Sequence, residues 1–100
     1  MSLRWPESMS GSGGSSPIEF EILSEKASAL GRAGEQVEKA LGRLRLLDRE
    51  SPERHACLRA AADAVYGYFI QRELCGLRRH QDAIREYGIP NEVLARLGAK

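Results

Sequence analysis

The feature that most constrains this chain is an unbroken series of apolar residues spaced alternately three and four apart. The series consists of Phe20, Leu23, Ala27, Leu30, Gly34, Val37, Leu41 and Leu44. Such spacing follows the period of an α-helix and is typical of the seam along which two helices pack. We therefore expect one long helix over residues 17–48, with a second helix to cover its seam.

The start of this helix carries a clear capping signal. Ser16 is suited to the N-cap, Pro17 to the first helical position and Glu19 to the third, which together make a capping box. Ser51 and Pro52 repeat the Ser-Pro pattern and predict that a second helix starts at Pro52.

The end of the second helix is predicted from a glycine stop. Gly88 is followed by Ile89 and Pro90, the pattern of a helix that ends in a left-handed glycine. The second helix is therefore expected to run without a break to Tyr87. A short third helix over residues 91–97 follows.

The connection between the two long helices is short, which makes them antiparallel neighbours. The predicted fold class is all-α: an antiparallel hairpin of two long helices with a short C-terminal helix. A turn centred near residue 50 would place Gly34 opposite Val65 and Phe69, and Leu23 opposite Leu77. The hairpin domain covers residues 17–100, and residues 1–16 form a Gly/Ser-rich tail that we expect to be disordered.

Both helices carry a second apolar row that a lone hairpin would leave in water. A short C-terminal helix is expected to cover only the end near Ile84, so a second hairpin is needed for the rest. This predicts a homodimer that forms a four-helix bundle, with coiled-coil-like packing. The candidate interface consists of seven residues: Ile22, Ala29, Ala33, Tyr66, Ile70, Leu74 and Leu77.

Two polar groups of side chains suggest other roles. Gln71, Arg72 and Glu73 follow three aromatic residues and form a candidate polar site for a ligand or a protein. The alternative interpretation is purely structural: the three aromatic residues belong to the core, and the polar side chains that follow them are solvated at its edge. Arg78, Arg79 and Arg85 form a candidate basic patch that a dimer would double, although solvated helix surface explains it as well.

Composition and motifs restrict the function further. Fifteen basic and fourteen acidic residues leave a net charge of +1, without the basic excess typical of nucleic-acid binding. No motif indicates catalytic, metal or cofactor residues, so neither an enzyme nor a cofactor is expected.

No apolar segment is long enough to cross a bilayer, and a cytoplasmic protein without membrane contact is expected. Cys57 and Cys75 lie about 27 Å apart on one predicted helix and are not expected to pair.

Four segments carry a family resemblance: residues 24–32, 71–76, 87–90 and 93–98. They resemble a family of short, uncharacterised, all-helical bacterial proteins over about residues 18–99. That family has no assigned function, so the resemblance implies no activity and no site.

The favoured hypothesis is therefore a homo-oligomeric protein-interaction module, a small cytosolic adaptor or regulator with an unknown protein partner. A nucleic-acid accessory protein is the first alternative, and a small enzyme or ligand carrier is the second.

Overall fold

A computed structural model describes residues 16–98. Within this range the chain forms four helices and no strand: α1 (Pro17–Arg45), α2 (Arg54–Leu74), α3 (Gln81–Tyr87) and α4 (Asn91–Leu94). The all-α prediction is confirmed. Apart from Ser16, the predicted tail lies outside the described residues.

Helix α1 begins at the predicted capping box. The Glu19 N–H donates to Ser16 Oγ at 3.1 Å, and the Ser16 N–H donates to Glu19 Oε1 at 3.0 Å. The helix ends at Arg45, three residues before the predicted end. The N–H groups of Leu46 and Leu47 donate to carbonyls three residues back instead of four, so the chain tightens into a turn.

Helix α2 begins two residues later than predicted. Ser51 Oγ accepts a hydrogen bond from the Glu53 N–H at 3.3 Å, and the Arg54 N–H donates to the Ser51 carbonyl at 3.1 Å. Residues 51–53 are therefore a separate turn that leads into α2.

The two long helices are antiparallel, as predicted. Cys75 Sγ lies 3.9 Å from the carbonyl of Lys26, and Gly34 lies beside the ring of Tyr68. Gly34 is buried, and the side chains closest to the position of its missing Cβ are those of Tyr87 and Tyr68, not the predicted Val65 and Phe69. Val65 instead lies fully buried in the core.

The largest departure from the prediction is that α2 ends at Leu74. Gly76 adopts a φ of +89°, the Leu77 N–H donates to the Arg72 carbonyl at 2.8 Å, and the Gly76 N–H donates to the Glu73 carbonyl at 3.0 Å. These are the two bonds of a Schellman motif, which satisfies the last carbonyls of the helix. The predicted continuous helix to Tyr87 was therefore wrong.

The predicted stop at Gly88 is confirmed, although it ends α3 and not α2. Gly88 has a φ of +62°, and the Ile89 N–H donates to the Ile84 carbonyl at 3.0 Å. Helix α4 then ends at Leu94, earlier than predicted, and turns continue to Gly98.

The break after Cys75 allows residues 77–97 to fold back over the hairpin. Arg45 Nη2 donates to the carbonyls of Tyr87 and Gly88 at 2.8 and 3.2 Å, and Arg54 forms an ion pair with Glu92. The C-terminal helices thus cover much more than the end near Ile84, contrary to the prediction. One core joins all four helices and contains Val37, Leu41, Leu44, Leu58, Ala61, Ala62, Val65, Tyr68, Ala83, Ile89 and Val93.

The first turns of α1 lie outside this core. Residues 17–28 are all exposed, and burial begins at Ala29. Leu23 and Leu77, which were predicted to face each other, are 60% and 43% exposed. We call residues 17–25 the α1 arm.

Candidate functional site

The groove between α1 and α2 brings together part of the candidate interface. It is open, has a volume of about 380 Å³ and lies on the surface that α3 and α4 leave uncovered. Ala29 and Ala33 line it from α1, and Gly67 and Gln71 line it from α2. Small side chains on both walls allow another backbone to approach closely. The remaining lining residues are Arg32, Gln36, Asp63, Ala64 and Tyr68.

Three further interface residues extend the groove toward one end of the hairpin. Ile70 and Leu74 follow Gly67 at helical spacing and remain exposed, and Leu77 lies just after the glycine turn. Ile22 lies at the same end, on the α1 arm. We call Leu74, Leu77, Arg78 and Arg79 the open end of the hairpin.

Tyr66 lies one turn before Ile70 on α2, at the border between this surface and the C-terminal segment. Its ring lies beside Gly98, on the side of α2 that the C-terminal segment covers, and it is 49% exposed. The sequence grouped Tyr66 with Ile70 because the two lie four residues apart on one helix.

The candidate polar site is divided by the structure. Gln71 lines the groove, whereas Arg72 and Glu73 both bind His80 from the loop after α2. Arg72 Nε donates to His80 Nδ1 at 3.1 Å, and Glu73 Oε2 lies 3.0 Å from His80 Nε2. Because a guanidinium can only donate, Nδ1 accepts and Nε2 carries the proton.

His80 was not identified from the sequence as part of this site. Its ring stacks on Phe69, with parallel planes and centroids 4.1 Å apart, and Arg72 Nη2 donates to the Arg79 carbonyl at 2.7 Å. Arg72 also lies over the ring of Tyr68, 5.8 Å from its centroid. These contacts hold residues 77–80 against the end of α2, which is a structural role for Arg72 and Glu73.

The basic patch does not form as one helical surface. Arg78 and Arg79 lie in the loop before α3 and are exposed, whereas Arg85 lies on α3 and pairs with Asp82. On an unbroken helix Asp82 would lie one turn from both Arg78 and Arg79. Within residues 16–98 neither of those two arginines has a carboxylate within salt-bridge distance.

A tyrosine pair packs against Gly34 of α1, and one of its members, Tyr68, also lines the groove. The rings of Tyr68 and Tyr87 meet edge to face, with centroids 5.4 Å apart, over the bare backbone of Gly34. Burial, and then the hydrogen bond and charge of Tyr68, raise the pKa of Tyr87 to about 12. This pair joins α3 to the hairpin.

Over residues 16–98, no three His, Cys, Asp or Glu side chains are placed to share a metal ion. None of the described helices has an apolar stretch of the length needed to cross a bilayer.

The fold therefore defines a small helical protein whose hairpin is covered by its own C-terminal segment on one side and left open on the other. The chain belongs to a family of unknown function (DUF6665), whose model matches residues 2–100. The predicted resemblance to an uncharacterised family is thereby confirmed. Searches of curated proteins and of solved structures found no match.

Proposed function

We propose that this protein is a homo-oligomeric interaction module, a dimer that serves as a small adaptor or regulator in the bacterial cytoplasm. The observation that carries the proposal is the uncovered apolar surface that runs from the groove to the open end. Ile70, Leu74 and Leu77 are 39%, 57% and 43% exposed.

The position of the C-terminal segment specifies which face of the hairpin is available to a second copy. The segment covers the side of the hairpin that carries Arg45 and Arg54, so a second copy is needed on the groove side only. Two hairpins joined through their grooves would give the four helices of a bundle core, with α3 and α4 on the outside. Closed twofold symmetry is the commonest arrangement for such a pair.

The energy available is sufficient for a stable contact. Fully burying a large aliphatic side chain contributes about 1.5–3 kcal/mol, so Ile70, Leu74 and Leu77 together offer on the order of 5 kcal/mol per chain. A twofold interface would bury six such side chains, three from each chain.

Paired substitutions of exposed leucines test the proposal. Leu74→Glu places a charge in the proposed interface, whereas Leu46→Glu places it beyond the other end of α1, at a side chain that is 87% exposed. We expect light scattering coupled to size-exclusion chromatography to show a dimer for Leu46→Glu and a folded monomer for Leu74→Glu. Equal masses for the two variants would contradict the proposal.

A further inference from the structure

The α1 arm has the composition of a docking segment. Residues 17–25 contain three glutamates and no basic residue. Four large apolar side chains accompany them, and all are at least half exposed: Ile18, Phe20, Ile22 and Leu23. The arm is therefore acidic, apolar and uncovered.

The open end has the opposite charge and the same apolar character. Leu74 and Leu77 are exposed, and Arg78 and Arg79 beside them lack a carboxylate partner within residues 16–98. The contacts of His80 with Arg72 and Glu73 hold this loop in place, so the surface is formed before anything binds.

Most of the arm projects beyond the open end of its own chain. Cys75 touches the carbonyl of Lys26, so the open end lies beside the base of the arm. From that point the arm continues straight, as part of the α1 helix, for about 13 Å at the standard rise. Its tip therefore points away from the surface that it would complement.

We infer that the α1 arm of each chain docks on the open end of a second copy, so that two chains exchange arms around a twofold axis. This inference rests on the proposed dimer and names the surface through which it forms. A twofold axis makes the two contacts identical, and each joins an acidic arm to a basic loop across apolar side chains.

Charge reversal on the two sides of the contact tests the exchange. One variant, the arm variant, carries Glu21→Lys and Glu25→Lys. Glu19 is left in place because it makes the capping box, and the bond of Glu25 to Arg32 is exposed and contributes little. The other variant, the loop variant, carries Arg78→Glu and Arg79→Glu.

Each variant alone should dissociate, because like charges then face each other in both contacts. We expect its dimer dissociation constant to rise at least ten-fold at low salt. An equimolar mixture should form heterodimers, since each arm then meets a loop of opposite charge, and native mass spectrometry separates the heterodimer by mass. A control variant with Glu35→Lys and Arg59→Glu, both exposed and remote from the contact, should dimerise normally.

The possible failures are distinct. If the arm and loop variants both dimerise as tightly as the unmodified protein, the dimer uses another face, and the exchange is wrong while the proposed function stands. If the unmodified protein is a monomer, both fail. If the loop variant dimerises normally but loses binding to a duplex DNA or RNA probe, the open end serves nucleic acid, and the exchange is again wrong.

Discussion

At the scale of single residues, Gly34 is the position where one added atom has the largest effect. A Cβ at Gly34 would lie 2.7 Å from the Tyr87 hydroxyl, closer than real side chains approach. A Cβ at Gly31, one turn earlier in α1, would meet nothing within 4 Å. Alanine at Gly31 therefore changes helix propensity alone, whereas alanine at Gly34 changes both helix propensity and packing.

Replacement of these glycines by alanine should give opposite results. Gly31→Ala should stabilise the protein by about 1 kcal/mol, the usual gain inside a helix. Gly34→Ala should lose that gain or destabilise, because Tyr87 must move away. Urea unfolding at fixed protein concentration measures both.

Removal of the Tyr87 hydroxyl supplies the control. In a Tyr87→Phe background the nearest remaining Tyr87 ring atom is 3.7 Å from the added Cβ, an ordinary contact. Gly34→Ala should then become stabilising. Equal gains from Gly31→Ala and Gly34→Ala in the unmodified protein would show that Tyr87 does not lie on Gly34.

The raised pKa of Tyr87 predicts a loss of stability in alkali. Folding favours the neutral phenol, whose pKa rises from 10.0 to about 12. The resulting stability is complete below about pH 10 and is lost as the pH rises toward 12. Urea midpoints over this range should fall more steeply for the unmodified protein than for Tyr87→Phe. Parallel curves would contradict the burial of this hydroxyl.

At the scale of helices, the sequence predicted those helix ends at which several capping residues occur together. Ser16, Pro17 and Glu19 identify one start, and Gly88 with Ile89 identifies one stop. The stop at Gly76 was missed because Leu74, Leu77 and Ile84 keep helical spacing across it. Gly76 followed by Leu77 has the same Gly-apolar pattern as Gly88 followed by Ile89, which is the signal that could have found it.

Gly76→Ala distinguishes a broken helix from a continuous one. With a φ of +89° and no atom within 4 Å of an added Cβ, the substitution changes backbone strain alone. We expect a loss of about 1–2 kcal/mol, the cost of a left-handed conformation for alanine. A helix that continued to Tyr87 would gain about 1 kcal/mol instead. Gly42→Ala, in α1 and without close neighbours, is the matched control and should stabilise.

At the scale of the whole molecule, the packing of residues 77–97 back onto the hairpin could not be predicted from sequence patterns. It depends on contacts between distant residues, such as Arg45 with the carbonyl of Tyr87, and on the break that frees the segment. The exposed positions of Ile70 and Leu74 were expected for a single hairpin, because both belong to the second apolar row of the helix, which does not face α1.

Association of two chains is the central claim, and sedimentation equilibrium of the unmodified protein tests it most directly. The proposed dimer predicts a mass of about twice 11.1 kDa at micromolar concentration. A single folded species of 11.1 kDa that persists to near-millimolar concentration would contradict it.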